Sequence, residues 1–319
     1  MSSQIKIYLA PFQGITTNTF RTVYEQHFSG LDKLYTPYFS KIKDGSPLSN
    51  KQIKELGSQQ KLGTEIVPQI LSNNANEILW FAHNCELLGF KEINWNLGCP
   101  YPMVANRKLG SGLLPHQELV HDILKNIMNK IKLRLSIKCR LGYYNPEEIN
   151  SLIPIFNHYP IHELIIHART GKQLYSGETN LEAVKNIGKT FSGHLVYNGD
   201  ILNSESKNHV KALVPEINDF MIGRGILVDP FLAMRIKQLA LPSNPKKHIQ
   251  QFVDNLYYAY RKAKNDDLTL LNILKDYWTY LAYSFTDPIK VLRKIKKCNS
   301  FDSYEDNVNA VFMEHELLD

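Results

Sequence analysis

The stretch KEINWNLGCP, residues 91–100, joins an apolar run to a polar, glycine-bearing turn. The run 91–96 predicts a β-strand, because it is short, largely apolar and followed by turn residues. In the turn, Gly98 permits a tight bend and Pro100 stiffens the exit. We therefore expect the thiol of Cys99 to be presented at the end of this strand, at the start of a long loop that runs through Gly112.

Similar apolar runs recur through the first 240 residues, with helical periodicity between them, as in Ile78, Phe81, Ala82 and Cys85. The predicted strands are 5–10, 33–39, 65–70, 91–96, 135–138, 163–167, 195–197 and 219–222. Eight alternating units of this length predict an α/β fold, a (β/α)8 TIM barrel. A doubly wound open sheet is the alternative. We prefer the barrel because the polar and glycine residues cluster after the runs, where barrel active sites lie.

The segment 241–247 contains Pro242 and Pro245 and predicts a linker, because proline lacks a backbone donor and restricts its predecessor. Amphipathic helices are expected after it, near 253–260, 270–281, 289–297 and 308–318. The chain is therefore divided into a catalytic barrel domain, 1–240, and a small C-terminal helical domain, 246–319.

Composition excludes several classes of protein. The 319 residues are 43% hydrophobic and 21% charged, which is ordinary for a globular protein, and the net charge of +6 permits a polyanionic partner. The four cysteines form no CxxC pair or metal-ligand pattern, so neither a disulfide framework nor a metal site is predicted. There is neither a signal peptide nor an apolar run long enough for a membrane span, so we expect a cytoplasmic protein.

Cationic residues follow two neighbouring predicted strands. Lys138 and Arg140 alternate at the end of one, and His167 and Arg169 at the end of the next. Singly, such residues are more often solvated or salt-bridged. Together at the carboxyl ends of parallel strands, they predict a ring of positive charge on one face of the barrel.

Two further turns predict an anion site, and two predict a flat apolar surface. Loops after the last two strands of a barrel commonly bind phosphate, and here they read Asn198-Gly199-Asp200 and Gly223-Arg224. Pro11, Phe12 and Gly14 follow the first predicted strand, and Gln69 ends the third. Such a surface suits a heteroaromatic ring, although each turn alone could be a simple bend.

In this order, the motifs resemble those of the tRNA-dihydrouridine synthase family, over nearly the whole chain. The resemblance implies a barrel that holds FMN, followed by a helical domain that binds tRNA. It implies a hydride transfer from FMN, reduced by NADPH, to C6 of a uridine, while Cys99 acts as the catalytic acid that protonates C5.

The resemblance also assigns roles to individual residues. The flavin ring would contact Pro11, Phe12, Gly14, Gln69, Lys138 and His167, and its ribityl phosphate would contact Asn198, Gly199, Asp200, Gly223 and Arg224. The uridine, splayed out of the RNA, would contact Asn96, Arg140, Arg169 and Tyr175. Phosphates of tRNA would contact the basic residues Arg261, Lys262, Lys264, Lys275, Lys290, Arg293, Lys294, Lys296 and Lys297, which could otherwise form a solvated helix face.

The chain departs from the family pattern at three places. It reads Tyr35-Thr36-Pro37-Tyr38 where many members have an acidic residue, Tyr101 where serine is frequent, and Ala168 where glycine is frequent. Two other functions stay open: an FMN reductase of a free pyrimidine or similar small molecule, and a tRNA-binding factor without catalysis. A monomer is expected. The sequence does not identify which uridine is reduced.

Overall fold

The computed structural model describes residues 5–58, 63–264 and 269–318. By contacts between Cα atoms, the chain divides into two compact units. We call the first the barrel unit, comprising Met1–Pro11, Leu31–Asp200 and Glu205–Ile222. The second, the helical unit, comprises Phe12–Gly30, Ile201–Ser204 and Gly223–Asp319.

The barrel unit is built on a single sheet in which every paired strand is parallel to its neighbour. The strands are β1 (Ile7–Leu9), β2 (Lys33–Tyr35), β3 (Glu65–Val67), β4 (Gln69–Ile70), β5 (Glu92–Leu97), β6 (Arg134–Gly142), β7 (Glu163–Thr170), β8 (His194–Asn198) and β9 (Asp219–Ile222). Their spatial order is β3-β2-β1-β9-β8-β7-β6-β5-β4.

The sheet closes on itself at Pro68. Pro68 separates β3 from β4, because proline has no N–H to donate to a neighbouring strand. The two short strands together occupy one position in the ring. β3 pairs with β2 and β4 pairs with β5. A bridge between Phe39 and Ile70 joins the remaining edge. The eight predicted strands are therefore confirmed as a TIM-type barrel, and the open-sheet alternative is wrong.

Helices follow the strands and then continue into the helical unit. The α-helices are α1 (Asn18–His27), α2 (Asn50–Leu56), α3 (Ala75–Leu87), α4 (Pro102–Ala105), α5 (Gln117–Ile127), α6 (Glu148–His158), α7 (Leu181–Thr190), α8 (Ser204–Leu213), α9 (Arg224–Val228), α10 (Leu232–Ile236), α11 (Pro245–Lys264), α12 (Thr269–Leu281), α13 (Pro288–Lys296) and α14 (Phe301–Glu314). Short 3-10 helices span Gly110–Leu113 and Ala282–Ser284. Among the described residues, no helix is both long enough and apolar enough to cross a membrane.

The helix α3 shows how the sequence pattern produces the packing. Asn74 caps it by accepting hydrogen bonds from the backbone N–H groups of Asn76 and Glu77, which have no partner within the helix. Its apolar residues at helical spacing, including Ile78 and Phe81, are completely buried. Burial of each such side chain contributes roughly 2 kcal/mol to folding, so this stripe fixes the helix on the barrel.

In the helical unit, the long helix α11 begins at Pro245, within the segment 241–247 that the sequence predicted as a linker. Asn244 caps it, accepting a hydrogen bond from the N–H of Lys247 at 3.0 Å, and Pro245 occupies the first helical position. Proline is tolerated there because a first-turn N–H needs no partner within the helix. Within the same unit, Phe28 of the segment after α1 packs edge-on against Phe252 of α11, with ring centroids 5.0 Å apart.

A buried cluster of charges lies at the amino ends of the barrel strands. The ammonium of Lys33 contacts Glu92 at 2.7 Å and Glu163 at 2.9 Å, and Tyr8 donates a hydrogen bond to Glu163 at 2.9 Å. Burial lowers the pKa of Lys33, but the two carboxylates outweigh it and the net shift is upward. Lys33 therefore stays charged and offsets two carboxylates that would be costly to bury alone.

We predict that Lys33→Met lowers the free energy of unfolding by about 3–5 kcal/mol, because both glutamates would lose their buried counter-charge. Urea denaturation followed by circular dichroism measures this change. Lys132→Met is the matched control: the Lys132 side chain is 76% exposed and its contact with Glu86 is 3.5 Å, so a change within about 0.5 kcal/mol is expected. Equal effects of the two substitutions would contradict the role of Lys33.

Candidate active site

The predicted site residues of the barrel unit converge at the carboxyl ends of adjacent strands. In register, Asn96 of β5 pairs with Lys138 of β6, and Arg140 of β6 pairs with His167 of β7. His167 in turn pairs with Asn198 of β8. β6 and β7 are longer than predicted, so Arg140 lies within its strand rather than after it. Residues two apart share one face of a strand, which places Lys138 and Arg140 together.

The turn that carries Cys99 is shaped by one side chain. The carboxamide oxygen of Asn96 accepts hydrogen bonds from the N–H groups of Gly98 and Cys99, both at 2.9 Å. On the other side, the N–H and the hydroxyl of Ser111 each donate to the Cys99 carbonyl oxygen at 3.0 Å. Gly110 has a φ of +56°, and a Cβ there would lie 2.5 Å from that carbonyl oxygen, so only glycine fits.

The Cys99 thiol lies in an apolar pocket formed by Leu71 and Val104, with Tyr38 and Leu109 packed against it. Burial raises the pKa of the thiol, although hydrogen bonds from the Tyr101 N–H and the Tyr38 hydroxyl and the charges of Arg140 and Lys138 oppose that shift. The net effect is upward, so the thiol is protonated at neutral pH. This state suits a proton donor better than a nucleophile.

A chain of buried amides runs across the barrel below this turn. Gln69 donates to the side-chain oxygen of Asn94 at 2.8 Å and accepts from the Asn96 amide at 2.6 Å. Asn94 donates to the Ser136 hydroxyl at 2.9 Å. The sequence predictions missed Asn94 and Ser136, although Asn94 lies two residues before Asn96 and therefore on the same face of β5.

Lys138 is a half-buried cation without a hydrogen bond or ion pair to any residue that the structure describes. Burial lowers its pKa to about 8, and the neighbouring charge of Arg140 acts in the same direction. Its environment therefore lacks the counter-charge that Lys33 has at the other end of the barrel. An anionic group bound beside Lys138 would restore that balance.

Arg140 connects the Cys99 turn to the loop after β7. Its guanidinium donates to the carbonyl oxygens of Gly98 at 3.1 Å, Thr170 at 2.7 Å and Leu174 at 2.6 Å. It is 1% exposed, and it lies 5.5 Å from the ring centroid of Tyr175, which is itself 41% exposed. Arg140 thus braces the turn and supports an aromatic ring that faces solvent.

Arg169 and Asp200, which the sequence assigned to different ligands, form an ion pair. Two guanidinium nitrogens contact the two carboxylate oxygens, one of them at 3.0 Å. Arg169 also donates to the carbonyl oxygens of Ser176 and Gly177. This pairing holds the loop after β7 to the end of β8, and direct contacts of either residue with a uridine or a phosphate stay predictions.

The other predicted residues of the barrel unit lie at the same edge. His167 is 6% exposed, and its ring centroid is 6.1 Å from that of Tyr175. Asn198 donates to the Met221 carbonyl oxygen at 2.8 Å. Gly199 has a φ of +144°, which favours glycine, and Pro11 follows the end of β1.

Four predicted residues belong to the helical unit. Phe12 is half-buried, with its ring edge-on to Tyr280 at 5.7 Å between centroids, and Gly14 has a φ of +83° with open space around it. Gly223 caps α9, of which Arg224 is the first residue. The contacts of these four residues with a flavin stay predictions.

The predicted tRNA-binding residues of the helical unit differ in pairing and exposure. Arg261 and Lys294 pair with Glu305 at 3.5 Å and Glu314 at 2.6 Å. The side chain of Lys264 lies outside the described residues, and Lys275 is half-buried. The remaining five are exposed: Lys262, Lys290, Arg293, Lys296 and Lys297. Four of these five follow one another on or just after α13, so they form a local basic patch.

Comparison with known proteins identifies one family over nearly the whole chain. The model of the family described as Dihydrouridine synthase (Dus) matches residues 8–315. The tRNA-dihydrouridine(16) synthase of Vibrio parahaemolyticus is 27% identical over 306 residues, which cover 92% of each chain. That of Neisseria meningitidis serogroup A is 26% identical over 327 residues, covering 98% of this chain and 96% of the relative. The tRNA-dihydrouridine synthase B of Pasteurella multocida is 29% identical, covering 71% and 67%.

Solved structures share the barrel fold. A variant of NCR from Zymomonas mobilis superposes with a TM-score of 0.52 and 17% identity, covering 74% of this chain and 88% of that one. Morphinone reductase superposes with a TM-score of 0.51 and 10% identity, covering 76% and 88%. At this level of identity the likeness concerns the fold.

We predict that Lys138→Met raises the free energy of unfolding at pH 7 by about 1–3 kcal/mol. Because the pKa of Lys138 is about 8 when folded and near 10.5 when unfolded, the unfolded chain binds more protons between these values. The free energy of unfolding of the natural protein should therefore rise relative to that of the variant from pH 8 to 10.5. The advantage that the variant has at pH 7 should disappear over this range. Urea denaturation of both proteins across this range checks it, and a constant difference would contradict the prediction.

Proposed function

Because the chain belongs to the dihydrouridine synthase family and is an enzyme of that family, an oxidoreductase, we propose that it reduces a specific uridine of tRNA to 5,6-dihydrouridine. The observation that carries the proposal is the state of Cys99. Its thiol is 8% exposed, held by a hydrogen-bonded turn at the carboxyl edge of a barrel, and kept protonated by burial. A positioned thiol of this kind is a general acid.

The residues at this edge fit a flavin. Lys138, whose pKa is lowered to about 8 and which has no hydrogen-bond partner in the described part of the chain, suits the anionic edge of a reduced isoalloxazine. The buried amides of Gln69 and Asn96 supply polar groups near Lys138, which pairs with Asn96 in strand register. When bound, FMN reduced by NADPH would supply the hydride for C6 of the base.

The roles of the cofactor-binding residues are proposals of the same kind. Pro11, Phe12, Gly14, Gln69, Lys138 and His167 would contact the ring, and Asn198, Gly199, Asp200, Gly223 and Arg224 would contact the ribityl phosphate. Asp200 is already paired with Arg169, so its carboxylate would act by orienting the loop and by accepting a hydroxyl hydrogen bond, not by meeting a phosphate.

Cys99 would complete the reduction by giving its proton to C5. The Sγ–H bond breaks, a C–H bond forms at C5, and the electron pair stays on sulfur as a thiolate. Asn96 holds the sulfur in place through the backbone N–H of Cys99, and Arg140 holds the same turn through the Gly98 carbonyl oxygen. Geometry fixed in this way gives a general acid its effect, because the proton travels only between atoms already in contact.

The substrate base must leave its stack to reach this thiol, since a paired base cannot enter the barrel mouth. We assign its recognition to Asn96, Arg140, Arg169 and Tyr175. The Tyr175 ring, 41% exposed and supported by Arg140, offers a surface on which an extruded base can stack. Asn96 would act mainly through the Cys99 turn, to which two of its three side-chain hydrogen bonds go. Arg140 would act through that turn and through the loop after β7, since it donates to both.

Position 16 is the proposed target in tRNA. The relatives described above from Vibrio parahaemolyticus and Neisseria meningitidis each match over more than nine tenths of this chain and of their own length, and each is named as a tRNA-dihydrouridine(16) synthase. The B-type relative, although slightly more identical, covers only 67% of its own length. Similarity that extends through the helical unit matters, because that unit is proposed to bind the body of the tRNA through its exposed basic residues. Action as a cytoplasmic monomer stays a prediction.

We predict that Cys99→Ala lowers the rate of dihydrouridine formation roughly 100- to 10,000-fold, the usual contribution of a general acid, while FMN stays bound. Dihydrouridine in tRNA and the flavin absorbance of the purified protein are the two measurements. Cys85→Ala is the matched control: Cys85 is buried on α3, so the substitution should cost roughly 1 kcal/mol of stability but leave turnover intact. Full turnover of the Cys99 variant would refute its role.

We also predict that cells lacking this protein lose dihydrouridine at position 16 of their tRNAs and keep it elsewhere. Position-resolved mapping of dihydrouridine by reverse transcription checks this. Expression of the natural protein should restore the modification, and expression of the Cys99→Ala variant should not. Loss at a different position would contradict the assignment of position 16 while leaving the proposed chemistry in place.

A further inference from the structure

Tyr38 is a residue of the barrel unit whose chemistry has no assigned role. It packs against the cluster of Leu71, Cys99 and Val104, and its hydroxyl lies within hydrogen-bonding reach of the Cys99 sulfur. The ring is half-buried, so one part faces the thiol and the rest reaches solvent. A hydroxyl beside this pocket is placed to act on the atom that would give up the proton.

The backbone holds Tyr38 rigidly in this position. The N–H of the next residue, Phe39, donates to the Gln69 carbonyl oxygen at 2.8 Å, and the Phe39 carbonyl oxygen accepts from the N–H of Leu71 at 2.8 Å. On the other side, Pro37 fixes its own φ and restricts Thr36. Tyr38 is therefore fixed to the β4 edge of the barrel, which also supplies Leu71 to the thiol pocket.

The electrostatics give the direction of the hydrogen bond. Burial raises the pKa of Tyr38, and the nearby Cys99 raises it further. The same contact opposes the effect of burial on Cys99, lowering the pKa of the thiol. Because Tyr38 packs against Cys99 and a thiolate has no hydrogen to donate, the phenol O–H is the donor in any hydrogen bond with the charged sulfur.

We propose that Tyr38 is a catalytic residue that holds the Cys99 sulfur toward the substrate and donates a hydrogen bond to the thiolate formed by proton transfer. The inference rests on the proposed function. When the Sγ–H bond breaks and the C–H bond forms at C5, the sulfur keeps the electron pair and the Tyr38 hydroxyl stabilises it. Water at the exposed part of the tyrosine then returns a proton to the sulfur, leaving hydroxide that the buffer neutralises.

The first test measures the pKa of Cys99 in the full-length protein, without tRNA or reductant. The rate of Cys99 alkylation by iodoacetamide is followed from pH 6 to 11 by mass spectrometry of the peptide that contains it. Tyr38→Phe should move the midpoint upward by about one pH unit, because the thiolate loses a hydrogen bond to a charged acceptor. An unchanged midpoint would overturn the proposal.

Tyr101→Phe is the matched control. The Tyr101 side chain is 53% exposed, and its contact with the Cys99 sulfur is made by the backbone N–H, which the substitution keeps. The midpoint should therefore stay where it is in the natural protein. An equal shift in both variants would mean that loss of any nearby hydroxyl has the same effect, and it would overturn the specific role of Tyr38.

The second test separates this proposal from the proposed function. In a single turnover with tRNA, Tyr38→Phe should slow uridine reduction about tenfold and should leave flavin reduction by NADPH unchanged. If Cys99→Ala keeps full activity, the proposed acid fails, and with it the catalytic role of Tyr38, even when the alkylation midpoint shifts. If Cys99→Ala is inactive and Tyr38→Phe turns over at the natural rate, only the role of Tyr38 fails.

Discussion

The closed ring of parallel strands is the constraint on which the barrel unit depends. Parallel strands present all their carboxyl ends at one edge, so that residues far apart in sequence become neighbours there. Asn96, Lys138, Arg140 and His167 come from three strands and are adjacent because of strand register. Pro68 divides one position of the ring into two short strands, of which β3 pairs with β2 and β4 pairs with β5.

A lysine lies at each end of this barrel, and the pKa values of the two lysines are shifted in opposite directions. At the amino ends, Lys33 lies between two carboxylates that raise its pKa, and it serves stability. At the carboxyl ends, no carboxylate among the described residues pairs with Lys138, and burial lowers its pKa to about 8. Lys33 therefore serves stability, whereas Lys138 is the cation of the proposed flavin site.

The Cys99 turn depends on side chains from several strands acting together. Asn96 shapes it from below, Ser111 holds its carbonyl oxygen, Arg140 ties it to the loop after β7, and Tyr38 reaches the sulfur itself. These groups make the thiol a fixed and protonated donor. The acid role proposed for Cys99 would require that state, because a proton donor must be held in place and must keep its proton at neutral pH.

The amino-acid sequence by itself determined the eight strands, the helices between them, and the turns that carry Cys99, Asn198 and Gly223, because local periodicity and glycine or proline signals act over a few residues. It could not decide which polar residues meet. The pairing of Arg169 with Asp200, the amide chain through Asn94, and the contact of Tyr38 with Cys99 follow only from strand register and barrel closure. Those interactions join residues 25 to 61 positions apart, and no local pattern encodes such distances; the tertiary structure alone brings them within hydrogen-bonding reach.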